Sequence, residues 1–245
     1  MARFRVSSSL LGVPYVGTRA REARVAWVKS VAKAIFARDG IATPEYVTLP
    51  QSLFREVGAE HVISAIQDRM GLPVVVKPAR GGSALGVTLV TERDEPQPRA
   101  GSLLRVRRHG VDRGRRDRCG GGGVGAWHRR RRRGPSRGGD PGRGAYDYDA
   151  RYNPGRVEYF APARLSSEDA TTVADAALAV HRNLGLRDLS RVDIILDEQG
   201  KAQVIDVNVT PGLTETSLLP QAVEASGRSL GEVYASVARL AYDRG

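Results

Sequence analysis

Three stretches of this sequence collect residues able to do chemistry. In RVDIILDEQGKAQVIDVNVTPG, Arg191 and Asp193 alternate on one face of a predicted strand, and Asp206 and Asn208 alternate on the next. The turn Asp197-Glu198-Gln199-Gly200 folds the two runs into a hairpin, so Asp193, Asp206 and Asn208 converge as oxygen donors with a guanidinium beside them. Carboxylates and a carboxamide are hard ligands that suit Mg2+ bridging nucleotide phosphates. A solvent-facing strand pair with one ion pair would use the same polar residues, but the flanking Ile194, Ile195, Leu196, Val204, Ile205 and Val207 are too apolar for a casual surface.

In VVVKPARGGSALGV, Lys77 ends an apolar strand, and a loop holding Gly81, Gly82, Ser83 and Gly86 follows. Backbone N–H groups of such a loop cradle phosphate oxygens, with Lys77 as a point charge; a plain hairpin turn is the competing reading. The third stretch, AYDYDARYNPG, is dense in tyrosine and ends in a Pro-Gly turn. Rings packed onto a loop explain it equally well.

The elements that must carry these residues follow from periodicity. Val28, Val31, Ala32, Ile35 and Phe36 recur at helical spacing and predict a helix over 25–38, with Gly40 at the position after its end. A second helix is expected over 52–69, with Leu53, Val57, Val62 and Ile66 inward. EYVTL, PVVVKP, VTLV and VEYFAPA read as strands, PVVVKP continuous enough to be buried on both faces. Ser166 or Ser167 caps a helix carrying Val173, Ala174, Ala177, Leu178 and His181, and Ser229 with Glu232 has capping-box spacing. Helices and strands alternate throughout, so the class is α/β or α+β.

Net charge is +11, which points at first to nucleic acid. Its distribution points elsewhere. Between Glu95 and Gly144 stand 15 arginines, no lysine and four acids, so that passage carries the whole excess and the remainder is neutral. The passage holds mostly Arg, Gly, Pro, Asp, Ser and Val without helical or strand period, which predicts disorder over 93–144. A basic arm on nucleic acid is the functional alternative, weakened because Trp127 alone offers a ring for base stacking. The single cysteine, Cys119, excludes a disulfide framework and a cysteine-based metal site. No apolar run reaches membrane-spanning length and no signal-peptide core is evident, so a cytoplasmic protein is expected.

LLGVPYVGT, KAIFARDGIATPEYV, GLPVVVKPARGGSALGV, YDYDARYNPG with EYFAPARL, and RVDIILDEQGKAQVIDVNVTPGLTETSLLPQA together, in this order, resemble D-alanine-D-alanine ligases of the ATP-grasp superfamily. The resemblance covers roughly 9–92 and 145–245. It implies an ATP-grasp fold whose two subdomains enclose the nucleotide: a central one over 19–92 and a catalytic one over 145–245, with 1–18 as remnant of an N-terminal domain. It implies ATP and Mg2+ or Mn2+ as cofactors, two molecules of D-alanine as partners, D-alanyl-D-alanine for peptidoglycan as product by way of an acyl phosphate, and association into a homodimer. By position, Lys29 and Lys77 match the lysines on ATP phosphates; Gly81, Gly82, Ser83 and Gly86 match the loop that closes over them. Arg151 and Tyr152 fall in the mobile loop that shuts the site, and Asp193, Asp206 and Asn208 match the metal ligands. Arg191 and the backbone of Gly212 match the groups around the tetrahedral oxyanion, and Ser217 and Leu218 the pocket of the second D-alanine.

Departures from the family pattern are equally specific. The N-terminal domain with the glutamate that anchors the first D-alanine is expected to be missing, and the Arg/Gly passage stands where the family has its adenine hinge and ribose-binding glutamate. Val28 replaces an aspartate, and Asp206 a longer glutamate. Such abrupt loss and recovery is how an out-of-frame reading of GC-rich DNA looks. Little or no ligase turnover by this chain is therefore expected. Within the superfamily, a D-alanine-D-lactate ligase or another carboxylate-amine ligase is the alternative, with Arg151-Tyr152 favouring D-alanine as acceptor.

Overall fold

The computed structural model describes residues 2–72, 74–80, 87–90, 103–107, 118–121, 125–130, 158–214 and 217–244. The elements run α1 (Ala2–Leu10), α2 (Ala20–Trp27), α3 (Lys29–Arg38), β1 (Tyr46–Leu49), α4 (Gln51–Glu56), α5 (Ala59–Met70), β2 (Val74–Pro78) and β3 (Thr88–Val90). After them come β4 (Leu103–Arg107), β5 (Arg118–Gly121), β6 (Gly125–Arg130), β7 (Glu158–Phe160), α6 (Ser167–Asn183), β8 (Arg191–Leu196), β9 (Ala202–Asn208), α7 (Leu218–Ala225) and α8 (Leu230–Tyr242). Two units interleave along the chain: Met1–Thr43, Asp117–Arg129 and Tyr159–Gly245 form one, and Pro44–Arg116 with Arg130–Glu158 form the other.

The first unit is built around a five-stranded sheet in the order β7-β6-β5-β8-β9. Val192 and Ile194 of β8 and Val204 of β9 are fully buried against Phe36 of α3 and Val173, Ala177 and Val180 of α6. Burying each such aliphatic side chain contributes about 1.5–3 kcal/mol, so this layer supplies a large part of the unit's cohesion. Helix α6 begins where expected: Ser166 Oγ accepts the Asp169 N–H at 3.1 Å, Glu168 and Asp169 face the positive helix end, and His181 and Arg182 the negative one. Of the apolar residues it carries, Val173 and Ala177 are buried and Ala174 and Leu178 exposed. The β8–β9 turn is held by Asp197, whose Oδ1 accepts the N–H groups of Gln199 and Lys201 at 3.1 and 2.9 Å, with Gly200 at φ +78. Burial opposes ionisation of Asp197, but those bonds and one from Gln203 win and hold its carboxyl below the usual range.

One irregularity in this hairpin decides which side chains meet. Leu196, Ile195 and Ile194 pair with Ala202, Gln203 and Val204, but Asp193 pairs with Asp206 rather than Ile205. Ile205 is the extra residue of a β-bulge. Before the bulge Ala202 and Val204 face the core; after it Val207 and Val209 do, so the alternation shifts by one. Asp206 and Asn208 are thereby turned to the face that carries Arg191 and Asp193.

The second unit has a four-stranded sheet in the order β1-β4-β2-β3 with antiparallel pairs throughout. Val62, Ile63, Ile66 and Met70 of α5 pack on Val74, Val76 and Val90. β2 is buried at Val74 and Val76 on one face, and on the other Val75 is half-buried and Lys77 buried.

Two predicted helices are each broken once. The 25–38 helix divides at Val28, whose extended backbone (φ −91, ψ 98) separates α2 from α3 and starts α3 at Lys29. The 52–69 helix divides at Gly58 (φ +88), leaving Val57 exposed rather than inward. Within 93–144, where sequence shows no period, β4, β5 and β6 are nevertheless strands. Backbone pairing needs no side-chain alternation, which is why composition gave no sign of them. Among the described residues no helix is long and apolar enough to cross a membrane.

Candidate active site

Register brings the polar residues of β8 and β9 together in two ranks, Arg191 opposite Asn208 and Asp193 opposite Asp206. Like charges directly across an antiparallel pair repel, so the two carboxylates need cations. Each has one. Arg191 grips Asp193 through Nε–Oδ1 at 2.7 Å and Nη2–Oδ2 at 3.2 Å, and Lys29, first residue of α3, donates from Nζ to Asp206 Oδ1 at 2.7 Å. Lys29 opens α3 directly after the break at Val28.

The cations are almost covered, with side-chain exposures of 13% for Arg191 and 11% for Lys29, whereas Asp193 and Asp206 keep 30% and 33%. Oxygens remain open toward solvent while the positive charges lie behind them. Asn208 Oδ1 accepts the Thr210 N–H at 2.9 Å, which fixes the carboxamide with its oxygen toward the loop. Two carboxylates face to face beside a carboxamide oxygen suit a divalent cation, since Mg2+ prefers a few carboxylate oxygens and shares the rest with phosphates. Among the described residues no three His, Cys, Asp or Glu side chains gather as a metal cluster, so a ligand set here depends on Asn208.

The chain leaves β9 through Thr210, buried Pro211 and Gly212. A side chain at Gly212 would displace Ser217: a Cβ there would collide with Ser217 Oγ and lie 3.1 Å from Ser217 Cβ. Ser217 precedes α7, which Leu218 opens; its hydroxyl meets Thr214 Oγ1 at 2.7 Å and its N–H donates to the Thr214 carbonyl at 2.7 Å. Arg5, buried in α1, donates from Nη2 to the Val209 carbonyl at 3.1 Å, and burial pushes its guanidinium below the usual arginine value.

Of the predicted residues, Lys29, Arg191, Asp193, Asp206 and Asn208 are thus gathered on one sheet end, with Gly212, Ser217 and Leu218 on the loop and helix that follow. Lys77 lies in the second unit as a buried residue near the end of β2. Gly81, Gly82, Ser83, Gly86, Arg151 and Tyr152 lie outside the described residues. Sequence reasoning passed over Thr214, Arg5 and the bulge. For the bulge there was a signal: Val204 and Ile205 are adjacent apolar residues in a strand that otherwise alternates.

Comparison with known proteins gives the family. The family model described as D-ala D-ala ligase C-terminus matches residues 35–108 and 136–237. A D-alanine--D-alanine ligase of Anaeromyxobacter sp. (strain K) is 33% identical over 233 residues, which cover 91% of this chain and 70% of that protein. That of Desulforudis audaxviator (strain MP104C) is 32% identical over 239 residues, covering 96% and 75%. The crystal structure of the Bacillus anthracis D-alanine--D-alanine ligase superposes with a TM-score of 0.73 at 24% identity, over 98% of this chain and 77% of that one. The fold is that of the ATP-grasp ligases. Within that class, the chain belongs to the D-alanine-D-alanine ligase family.

Proposed function

We propose that this protein is an ATP-dependent ligase that joins two D-alanines into D-alanyl-D-alanine for peptidoglycan, in the cytoplasm, where ATP is supplied. The observation that carries the reading is the face-to-face pair Asp193 and Asp206 with Asn208 alongside and Lys29 and Arg191 behind. Family membership favours it over a nucleic-acid arm and over other carboxylate-amine ligases.

Asp193, Asp206 and Asn208 would hold Mg2+, which when bound offsets the repulsion between ATP phosphates and a substrate carboxylate. Lys29 is placed to leave Asp206 for a phosphate oxygen, because a flexible ammonium changes partner at small cost. Lys77 would serve as a second phosphate contact and the loop with Gly81, Gly82, Ser83 and Gly86 as its cover. Arg151 and Tyr152 would close the site. One D-alanine carboxylate takes the γ-phosphoryl group; the amine of the second attacks that carbonyl carbon, and phosphate leaves from the tetrahedral intermediate. Arg191 and the Gly212 N–H would meet the oxyanion, which is stabilisation by donors fixed in advance. Ser217 and the start of α7 at Leu218 would bound the acceptor pocket. A homodimer is the proposed assembly.

Single-turnover incubation with the chain in excess over ATP tests the reading even at the low turnover that the departures predict. Dipeptide identified by mass in the presence of ATP and D-alanine, and absent with L-alanine, is expected. ATP consumed at the same rate without D-alanine, or dipeptide formed equally from L-alanine, sinks it.

A further inference from the structure

Lys33 is 2% exposed, and none of the roles above uses it. An ammonium withdrawn from water costs several kcal/mol unless its hydrogens are satisfied. Lys33 donates to the Thr43 hydroxyl, and that hydroxyl in turn donates to the Val204 carbonyl at 2.7 Å. The Val204 N–H donates to the Ala42 carbonyl at 2.9 Å. Both backbone groups of Val204 are therefore held by residues 42 and 43, which cover the outer edge of β9, the last strand of its sheet. Those residues are delivered by the end of α3, where Gly40 at φ +71 lets the Ile41 N–H reach back to the Phe36 carbonyl at 2.9 Å. Val204 is also the last residue before the bulge at Ile205.

We propose that Lys33 and Thr43 are positioning residues: they clamp β9 at Val204 and so keep the bulge at Ile205 and Asp206 opposite Asp193. Without the bulge Ile205 stands opposite Asp193, and a one-residue slip turns Asp206 and Asn208 toward the core. Helix α3 thus fixes β9 twice, through Lys29 on the Asp206 side chain and, four residues on along the same face, through Lys33 on the Thr43 hydroxyl that holds Val204. The proposal rests on the reading of Asp206 and Asn208 as metal ligands only for its consequence in binding.

The test uses the intact chain and the variants Thr43→Val, which keeps the side-chain volume, Lys33→Met, and Thr43→Ser as the conservative rescue. Backbone hydrogen exchange is followed over 202–208 and over α6, and Mn2+ uptake is titrated in the presence of ATP. Thr43→Val and Lys33→Met are expected to speed exchange in β9 roughly tenfold, with α6 unchanged, and to weaken Mn2+-ATP uptake by a similar factor. Thr43→Ser is expected to restore both. Parental protection of β9 in both disrupting variants overturns the clamp, as does equal loosening of α6 and β9, which is general destabilisation. Should the unsubstituted chain take up no Mn2+-ATP, the metal reading falls, and exchange in β9 by itself decides the clamp.

Discussion

The same chemistry, acid against cation, is used twice in the first unit with opposite results. At the sheet end, Asp193 and Asp206 keep about a third of their surface open and each leans on one cation. At Asp188 the carboxylate is 2% exposed and is surrounded: Oδ2 accepts the Gly17 N–H at 2.6 Å, Arg244 pairs with both oxygens at 2.8 Å, and Arg187 stands at 3.7 Å. Arg187 also donates to the Gly17 and Tyr15 carbonyls at 2.8 and 3.1 Å and lies over the Tyr15 ring. Asp188 is sealed from solvent by its partners and ties three distant segments together, whereas the pair on β8 and β9 keeps carboxylate surface open to solvent. Exposure, not charge, separates a site from a brace.

Truncation sharpens that contrast most. Asp188→Ala leaves Arg187 and Arg244 without their buried counter-ion and is expected to cost about 3–5 kcal/mol of stability in urea unfolding. Asp193→Ala is expected to cost less, about 1–3 kcal/mol, because Asp193 itself keeps 30% of its surface in water although Arg191 beside it is nearly covered. Equal losses in the two variants would erase the distinction between them. Next in size, Gly212→Ala drives a methyl into Ser217 and displaces the start of α7; dipeptide formation is expected to fall on the order of tenfold to a hundredfold while the melting temperature moves little. Unchanged dipeptide formation would remove Ser217 from the acceptor pocket.

The smallest effect concerns His181, whose ring Nδ1 lies 2.8 Å from the buried Ser190 hydroxyl. Burial lowers its pKa, with Asp188 pulling the other way and Arg182 adding to the lowering. A histidine whose folded pKa lies below its unfolded value is neutral in the fold, so its contribution is intact above the ordinary value near 6.5 and is lost as pH falls below it. Urea midpoints measured from pH 7.5 down to 5.5 should therefore fall less steeply for His181→Leu than for the unsubstituted chain. Parallel slopes would show that the histidine plays no part in the acid sensitivity.

Much of this was legible before any coordinates. The β8–β9 hairpin was, because its turn residues and alternating apolar positions state both the fold-back and the polar face, and Ser166 and Ser229 both cap as their spacing predicts. The break at Val28 was not: a β-branched residue in a helical run carries no sign that the backbone is extended there. The clamp through Lys33 and Thr43 was not legible either, since it joins residues some 160 positions from Val204 through a backbone carbonyl, which leaves no trace in side-chain type. The family match stops at 108 and resumes at 136, inside the passage whose composition looked foreign, and 103–107 fall within the matched part. An out-of-frame passage remains our proposal for 95–144, and translating the gene's other frames there is expected to restore acidic and apolar alternation.

The most direct test of the whole account is Mn2+ binding in the presence of ATP, read as loss of the free-ion electron paramagnetic resonance signal. Saturable uptake by the unsubstituted chain, abolished in Asp206→Ala and Asn208→Ala with unchanged melting temperatures, is the result the account predicts. Uptake that persists undiminished in both variants would contradict it and move the nucleotide site away from the end of the β8–β9 hairpin.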